Sequence, residues 1–451
     1  MGATLIAVLI LGAAFDGMTD ETKPPEESPS ESRIFTERAV FCPPNGDNTD
    51  GTVHLAASGS GDAPLTAGLE SSEDEPQNLG SRALFEDTAD LPVGIVGYGA
   101  RLSASASTTY REPLTGLGSA RCSEEAATEW FFPQGSVELG HDERLVLYNP
   151  FPDEAVVRVT FYTPDGPRSK ANLADIAIPS GDVNTLRMNK FILQEDVLGT
   201  QITSVRGRFV AWKVVFAEPE GRPSGATLTL GATETAPQWF FPTGASGRGI
   251  EERITILNPS DEVALVDVSL ITDKRPLPAR GLVGLEVQAG STKEVSLSKA
   301  LDDRDVGALS AQVRSTNGVE VIAERAVWYD TATFNGYASE IGASAPYTSL
   351  WLGPPAAQPS SDTVILLNVG AEEAEIDVEL RRASGAPLRP GALQDLRIPT
   401  GGRGRIELSK WAEEEQVVAL ITSTTPIVAE RIAYSGSTDD VATLMATPIS
   451  P

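Results

Sequence analysis

Histidine, cysteine and methionine are nearly missing from this chain: two, two and four in 451 residues. That leaves little for transition-metal ligation or for thiol and imidazole nucleophiles. Positive charge is short too. Against 63 Asp and Glu stand 35 Lys and Arg, a formal net charge of −28, which repels nucleic-acid phosphate and anionic lipid surfaces. Nucleic acid is set aside as a partner on this ground. The acidity is read as solubility, with weak divalent-cation binding at surface carboxylates as the lesser alternative.

Motifs that carry chemistry are missing as well. His54 and His141 sit in no Gly-x-Ser-x-Gly or His-Glu-x-x-His context. Glycine loops that cradle phosphate before a helix are absent, and nothing selects a glycosidase carboxylate pair among the 63 acids. The reading expects no catalytic residue, no cofactor and no metal ligand. Helical periodicity is confined to possible single turns after Lys190, Lys299 and Lys410.

Long apolar runs are scarce. Ala3 to Phe15 is of signal-peptide h-region length and shorter than the roughly 20 residues that span a bilayer. No basic residue precedes it, so either the true start lies upstream or the run is the tail of a longer anchor. Residues 1–15 are therefore expected to be a signal peptide or membrane anchor. Asp16 to Ser32, rich in Pro, Ser and Glu with no aliphatic residue to bury, reads as a disordered acidic linker over residues 16–33. An even cysteine count fits export: Cys42 and Cys122 are expected to pair, closing a loop of about 80 residues worth on the order of 4.5 kcal/mol in the chain-entropy model.

What is present is repetition. Trp130-Phe131-Phe132-Pro133-Gln134-Gly135 recurs as Trp239-Phe240-Phe241-Pro242-Thr243-Gly244, and more loosely as Trp351-Leu352-Gly353-Pro354. Each copy is followed by an aliphatic strand ending at Asn149, Asn258 or Asn368, spaced 109 and 110 residues apart. An acidic pair, a second strand, a glycine turn and a closing strand pair then follow in the same order. Three repeats are thereby defined: 128–236, 237–347 and 348–451. Residues 34–127 read as a divergent first repeat, with Phe41-Cys42-Pro43-Pro44-Asn45-Gly46 in the place of Trp-Phe-Phe-Pro-x-Gly and Leu117-Gly118-Ser119 matching Leu230-Gly231-Ala232. The cysteines would then pin the two ends of that unit.

Within each repeat, runs of 5–8 residues alternate apolar and polar between Gly, Pro, Asn and Asp. Arg158, Asp267 and Asp377 each interrupt valines and isoleucines at period two, the pattern of half-buried antiparallel strands. About 110 residues with roughly seven strands is the size of an immunoglobulin-like β-sandwich. The expected fold is all-β: four such sandwiches in a row, melting semi-independently.

The repeat landmarks are weighed as structure. All six tryptophans fall at landmarks, so Trp130, Trp239 and Trp351 are expected to pack the core rather than to stack on sugars. The Asn-Pro and acidic-pair motif is read as a turn, because calcium requires closely spaced oxygen ligands. Ala323-Glu324-Arg325 and Ala429-Glu430-Arg431 are expected to form a strand-edge ion pair or an exposed ladder.

The order Trp-Phe-Phe-Pro-x-Gly, aliphatic strand to Asn-Pro, Pro-x-Gly, then Val-Ala-Glu-Arg resembles an uncharacterised family of actinobacterial cell-envelope proteins with tandem sandwich-like repeats. The resemblance covers residues 34–451. A weaker likeness, to the small sensory-rhodopsin transducer family, rests on the Asn-centred strand and the closing pair. The first resemblance implies an extracytoplasmic location, secreted or anchored to the outer face of the membrane through the amino terminus. The expected function is a non-catalytic structural or interaction protein of the envelope, with a protein or cell-wall glycan partner. The alternative is a glycan-binding array.

Overall fold

In a computed structural model the chain divides into Met1–Phe35 and a compact unit Thr36–Pro451. The structure describes residues 37–44, the backbone of short strands between 49 and 102, and residues 103–449 apart from brief stretches at 112–113, 219, 222, 274–275, 278, 280, 303, 357–358, 383–385 and 413–415. The leader and acidic linker lie outside the described residues, as does the side chain of His54.

The compact unit is all-β, and one strand plan recurs in it. In the second unit, Val183–Arg187, His141–Tyr148, Val210–Ala217 and Gly225–Leu230 form an inner antiparallel sheet in that order. Gly166–Ser169, Ala155–Thr163, Gly199–Arg206 and Glu129–Phe132 form an outer one. The third unit repeats the plan with Ser291–Ser296, Ile250–Asn258, Ile322–Asp330 and Asn335–Ile341 inside. In the fourth, the 19-residue strand Val417–Ser435 runs through both layers. The first unit has Phe85–Asp87, Thr49–Ser58, Arg101–Tyr110 and Gly116–Arg121 in the inner place. A single helical turn occurs at each expected place, containing the lysine rather than following it: Met188–Lys190, Leu297–Ala300 and Ser409–Ala412.

The outer sheets show the alternation read in the sequence. Val157, Val159 and Phe161 are fully buried while Arg158 is exposed, and Val266 and Val268 flank the half-exposed Asp267 in the same way. The inner sheets do not alternate. Val210–Ala217 is buried at every position, as are Gly225–Leu230 and Asp440–Met445. A strand buried on both sides needs a second cover, and here the next unit supplies it. The innermost strands Gly116–Arg121, Gly225–Leu230, Asn335–Ile341 and Asp440–Met445 lie side by side in sequence, and the last returns to pack on the first.

The units therefore close into a four-bladed, propeller-like ring, and the expected row of separate immunoglobulin-like sandwiches is corrected. A row would leave one face of each inner sheet in water, and closure removes that face. A continuous core runs from Tyr110 through the second and third units to Ile341, and Leu117 meets Ala356, Ala433 and Ala442 across the seam between first and fourth.

One carboxylate sits where the four innermost strands begin. Asp440 is fully buried and accepts the backbone N–H of Leu117, Ala226, Tyr337 and Val441 at 2.8–2.9 Å, one donor from each unit. The matching positions in the other units are Gly116, Gly225 and Gly336. A Cβ on any of them would stand 2.0–2.8 Å from an Asp440 oxygen, so three glycines make room for one aspartate.

Strand register revises three sequence alignments. Phe41 bridges Ser123 as Phe131 bridges Ala232 and Phe240 bridges Ala343. Cys42 thus stands in the place of Phe132 and Phe241, one residue from the expected alignment. Cys122 stands in the place of Gly231 and Gly342, so Arg121-Cys122-Ser123, not Leu117-Gly118-Ser119, matches Leu230-Gly231-Ala232. The expected Cys42–Cys122 disulfide is present, with Cα atoms 4.3 Å apart. Where the first unit has this bridge, the second and third lay the ring of Phe132 or Phe241 over a glycine that a Cβ would crowd at 2.8–2.9 Å.

The third revision concerns Trp351, which pairs with Thr447 and so matches Phe131 and Phe240, while Leu350 takes the place of Trp130. A one-residue shift turns a strand side chain to the other face. Trp351 accordingly packs with Val418, Leu420 and Ile449, apart from the unit core.

Candidate functional site

The side chains with most chemical capacity lie between units. Cross-strand pairing places Ser105, Trp212, Glu324 and Glu430 at one position of the four units, opposite Arg121, Leu230, Ile341 and Met445. The next residues along are Ala106, Lys213, Arg325 and Arg431. On the neighbouring strand, Glu143, Glu252 and Asp362 hold a third equivalent position.

Between the second and third units, Lys213 Nζ lies 2.7 Å from Glu324 Oε1, and both side chains are fully buried. Lys213 also donates to the Gln134 carbonyl, while the Gln134 N–H and Ser339 Oγ donate to Glu324 at 3.0 and 2.7 Å. Between the third and fourth, Arg325 Nη2 donates to Glu430 Oε1 at 2.6 Å, and the Thr243 N–H donates to Glu430 Oε2 at 2.9 Å. Arg325 also donates to the Thr243 carbonyl. The loop after each Trp-Phe-Phe-Pro is thus clamped to a charge pair that joins two units.

The fourth unit differs because the first offers Ser105 instead of an acid. Arg431 turns to Asp362 of its own unit, with Nε 2.8 Å from Oδ1, and donates to the Val417 carbonyl at 2.7 Å. The expectation of a strand-edge pair or exposed ladder is corrected: Glu324, Arg325, Glu430 and Arg431 are at most 1% exposed and sit between units. The ring puts a second layer over what a lone sandwich would leave at its surface.

Burial pushes the Glu143 and Glu252 carboxyls up to about 7, against the pull of Lys213 and Arg325. Burial likewise raises Glu340 to about 8, opposed by Arg121. Asp440 rises to about 7 through burial, opposed by its four N–H donors.

The repeat landmarks are structural in place. Trp130 Nε1 donates to the Phe209 carbonyl at 2.9 Å and Trp239 Nε1 to the Val321 carbonyl at 2.7 Å. Asn149 is fully buried, and its Nδ2 donates to the Asp153 and Ile178 carbonyls while Oδ1 accepts from the Phe151 N–H. Asn258 and Asn368 repeat this arrangement. Each asparagine ties an Asx turn to the glycine turn of the facing connection. His141 stands edge-on to Trp328 at 6.4 Å beside a cavity of about 220 Å³. Among the described residues, no group of three or more His, Cys, Asp or Glu is placed to hold a metal ion.

A larger cavity, about 450 Å³, opens at the far end of the axis from Asp440, where the innermost strands leave their units. Its lining includes the exposed Glu124, Glu234 and Tyr347, the half-buried Arg121 and the buried Trp130 and Trp239. This mouth was not foreseen from the sequence, since its walls come from segments of every unit.

These features define an all-β repeat protein closed into a ring, with buried charge pairs across two of its junctions and a disulfide in its first unit. The chain belongs to the family of unknown function DUF5719, which it matches over residues 96–238 and 217–450. Among solved structures it is similar to one titled Thermotoga maritima 1070, at 22% identity and TM-score 0.22, covering 24% of this chain and 97% of that one. It is also similar to the Anabaena sensory rhodopsin transducer, at 24% identity and TM-score 0.17, covering 20% of this chain and 94% of that one. A Streptomyces avermitilis α-L-rhamnosidase matches at 10% identity and TM-score 0.13, covering 90% of this chain and 55% of that one. No curated protein matches.

Proposed function

We propose that the chain is a non-catalytic structural or interaction protein of the bacterial cell envelope, working outside the cytoplasm and held there by its amino-terminal segment. The observation that carries this reading is the use made of its buried polar groups. Lys213 and Arg325 are each spent on a carboxylate of the next unit and a backbone carbonyl, and Arg431 on a carboxylate and a carbonyl of its own unit. The Cys42–Cys122 bridge supports the location, because such bonds persist in oxidising compartments. Partner recognition falls in this proposal to the axial mouth, a concave site of mixed polar and apolar lining drawn from all four units. The partner is a protein or a cell-wall glycan.

The test is fractionation of cells carrying untagged protein, with free thiols trapped at lysis, followed by crosslinking and pull-down from intact cells. Recovery in the envelope or medium with oxidised cysteines is expected. Recovery mainly from the cytosol with reduced cysteines overturns the proposal. The glycan-array reading loses the rings that motivated it, since Trp130, Trp239 and Trp351 are 1%, 3% and 1% exposed. A glycan array separates the two partners, and a blank array leaves a protein.

A further inference from the structure

Charge counting across the unit junctions leads to a pH-sensitive device. The first-to-second junction has Ala106 and Trp212 at the equivalent places and so has no charge pair there. The fourth-to-first pairs one arginine with one acid, Arg431 with Asp362. The two remaining junctions each hold a cation paired across units and a second acid, Lys213 with Glu324 and Glu143, and Arg325 with Glu430 and Glu252; the third-to-fourth also holds Arg403, paired with Asp273, and Glu340.

Glu143 and Glu252 are both fully buried and are arranged alike. One oxygen accepts a loop N–H, from Ser136 at 3.1 Å or Ala245 at 2.9 Å, and Oε1 of each has no hydrogen-bond partner. An ionised carboxylate with one oxygen unsatisfied in a fully buried junction is costly. The cation beside it is already engaged by the acid of the next unit.

We propose that Glu143 and Glu252 are carboxylic acids in the folded ring below neutral pH, so that Lys213 and Arg325 each balance one carboxylate, and that their ionisation above it is a release that loosens the second-to-third and third-to-fourth junctions. The groups facing Glu143 are Lys213, Glu324 and the Tyr337 hydroxyl. Those facing Glu252 are Arg325, Glu430, Arg403 and Tyr329. Each set brings a further acid as well as cations, Lys213 for Glu143 and Arg325 with Arg403 for Glu252, and burial outweighs them in holding the proton. The fourth unit is the internal control: with no acid arriving from Ser105, Asp362 pairs directly with Arg431.

The sign follows from linkage. A carboxyl raised to about 7 keeps its proton after the unfolded chain has lost it, so its stabilisation is complete below the unfolded value near 4.5 and is lost as pH rises through 7. Between pH 6 and pH 8 each acid lowers the folded-to-unfolded ratio by about tenfold.

The test is denaturant unfolding of the full chain at pH 6 and pH 8, for the wild type and for Glu143→Gln with Glu252→Gln. The amide stands in for the neutral acid. The double variant is expected to recover about a hundredfold of the wild-type loss, leaving the remainder to Glu340 and Asp440. An unchanged pH dependence overturns the proposal. A second measurement needs no variant: in carboxyl-labelled wild type, three glutamates, the third being Glu340, are expected to remain protonated at pH 6. Fewer than three overturns it.

Discussion

At the residue scale, the side chains that matter most are those whose partners come from elsewhere in the chain. The four donors to Asp440 span positions 117 to 441. Asp440→Ala leaves four buried N–H groups without an acceptor, and at about 1–3 kcal/mol for each unsatisfied group a loss of at least 3 kcal/mol is expected in denaturant melts. Lys213→Ala strands Glu324 and is expected to cost about 3–5 kcal/mol, whereas replacing both by apolar residues of similar volume should cost much less. A double-mutant cycle separates the two outcomes. Sequence reading found the asparagines because an Asx turn is local: Asn149 bonds to Asp153 and Phe151. It missed the roles of Asp440, Glu143 and Glu252 because no local pattern distinguishes a buried acid from the 60 or so others.

At the element scale, the alternation of Ala155–Thr163 and its counterparts was legible because one face meets water. The inner strands were legible as strands but not in their placement. Val-Ala-Trp-Lys-Val-Val-Phe-Ala, apolar on both faces around one lysine, was the available sign that a second layer covers it. Register differs from the motif alignment by one residue at Phe41 and at Trp351, since Pro44 and Pro354 keep the motif's spacing where the hydrogen-bond ladder does not. The disulfide and the Phe-on-Gly contacts are alternative fastenings of one joint. Gly231→Ala is expected to destabilise by more than about 1 kcal/mol through overpacking against Phe132. Cys42→Phe with Cys122→Gly should recover part of the stability lost in a double alanine variant, as read by thermal melts without reductant.

At the scale of the whole molecule, ring closure changes what unfolding should look like. Separate sandwiches would melt one by one, and reduction would move the first unit alone. Units that share buried charge pairs and a common axis are coupled through every junction, so calorimetry of residues 36–451 should show one cooperative transition that reductant shifts as a whole. Removing residues 348–451 uncovers faces on both the first and third units, and the remainder is expected to expose hydrophobic dye-binding surface rather than fold as a shorter array.

The three glycines opposite one aspartate also bear on how such a ring can be built at all. Four identical chains around an axis would present the same residue four times, and four carboxylates at one point would repel, while four glycines would leave the inward N–H groups unanswered. A single carboxyl at the centre is open only to units strung on one chain, free to diverge from one another. The peptide connections between units are therefore what permits the asymmetry, and their order is of secondary importance. A permuted chain that begins at residue 128, runs to 449 and continues through a flexible link into 37–127 retains Gly116, Gly225, Gly336 and Asp440 in the same ring, and should fold with the same lock at its centre.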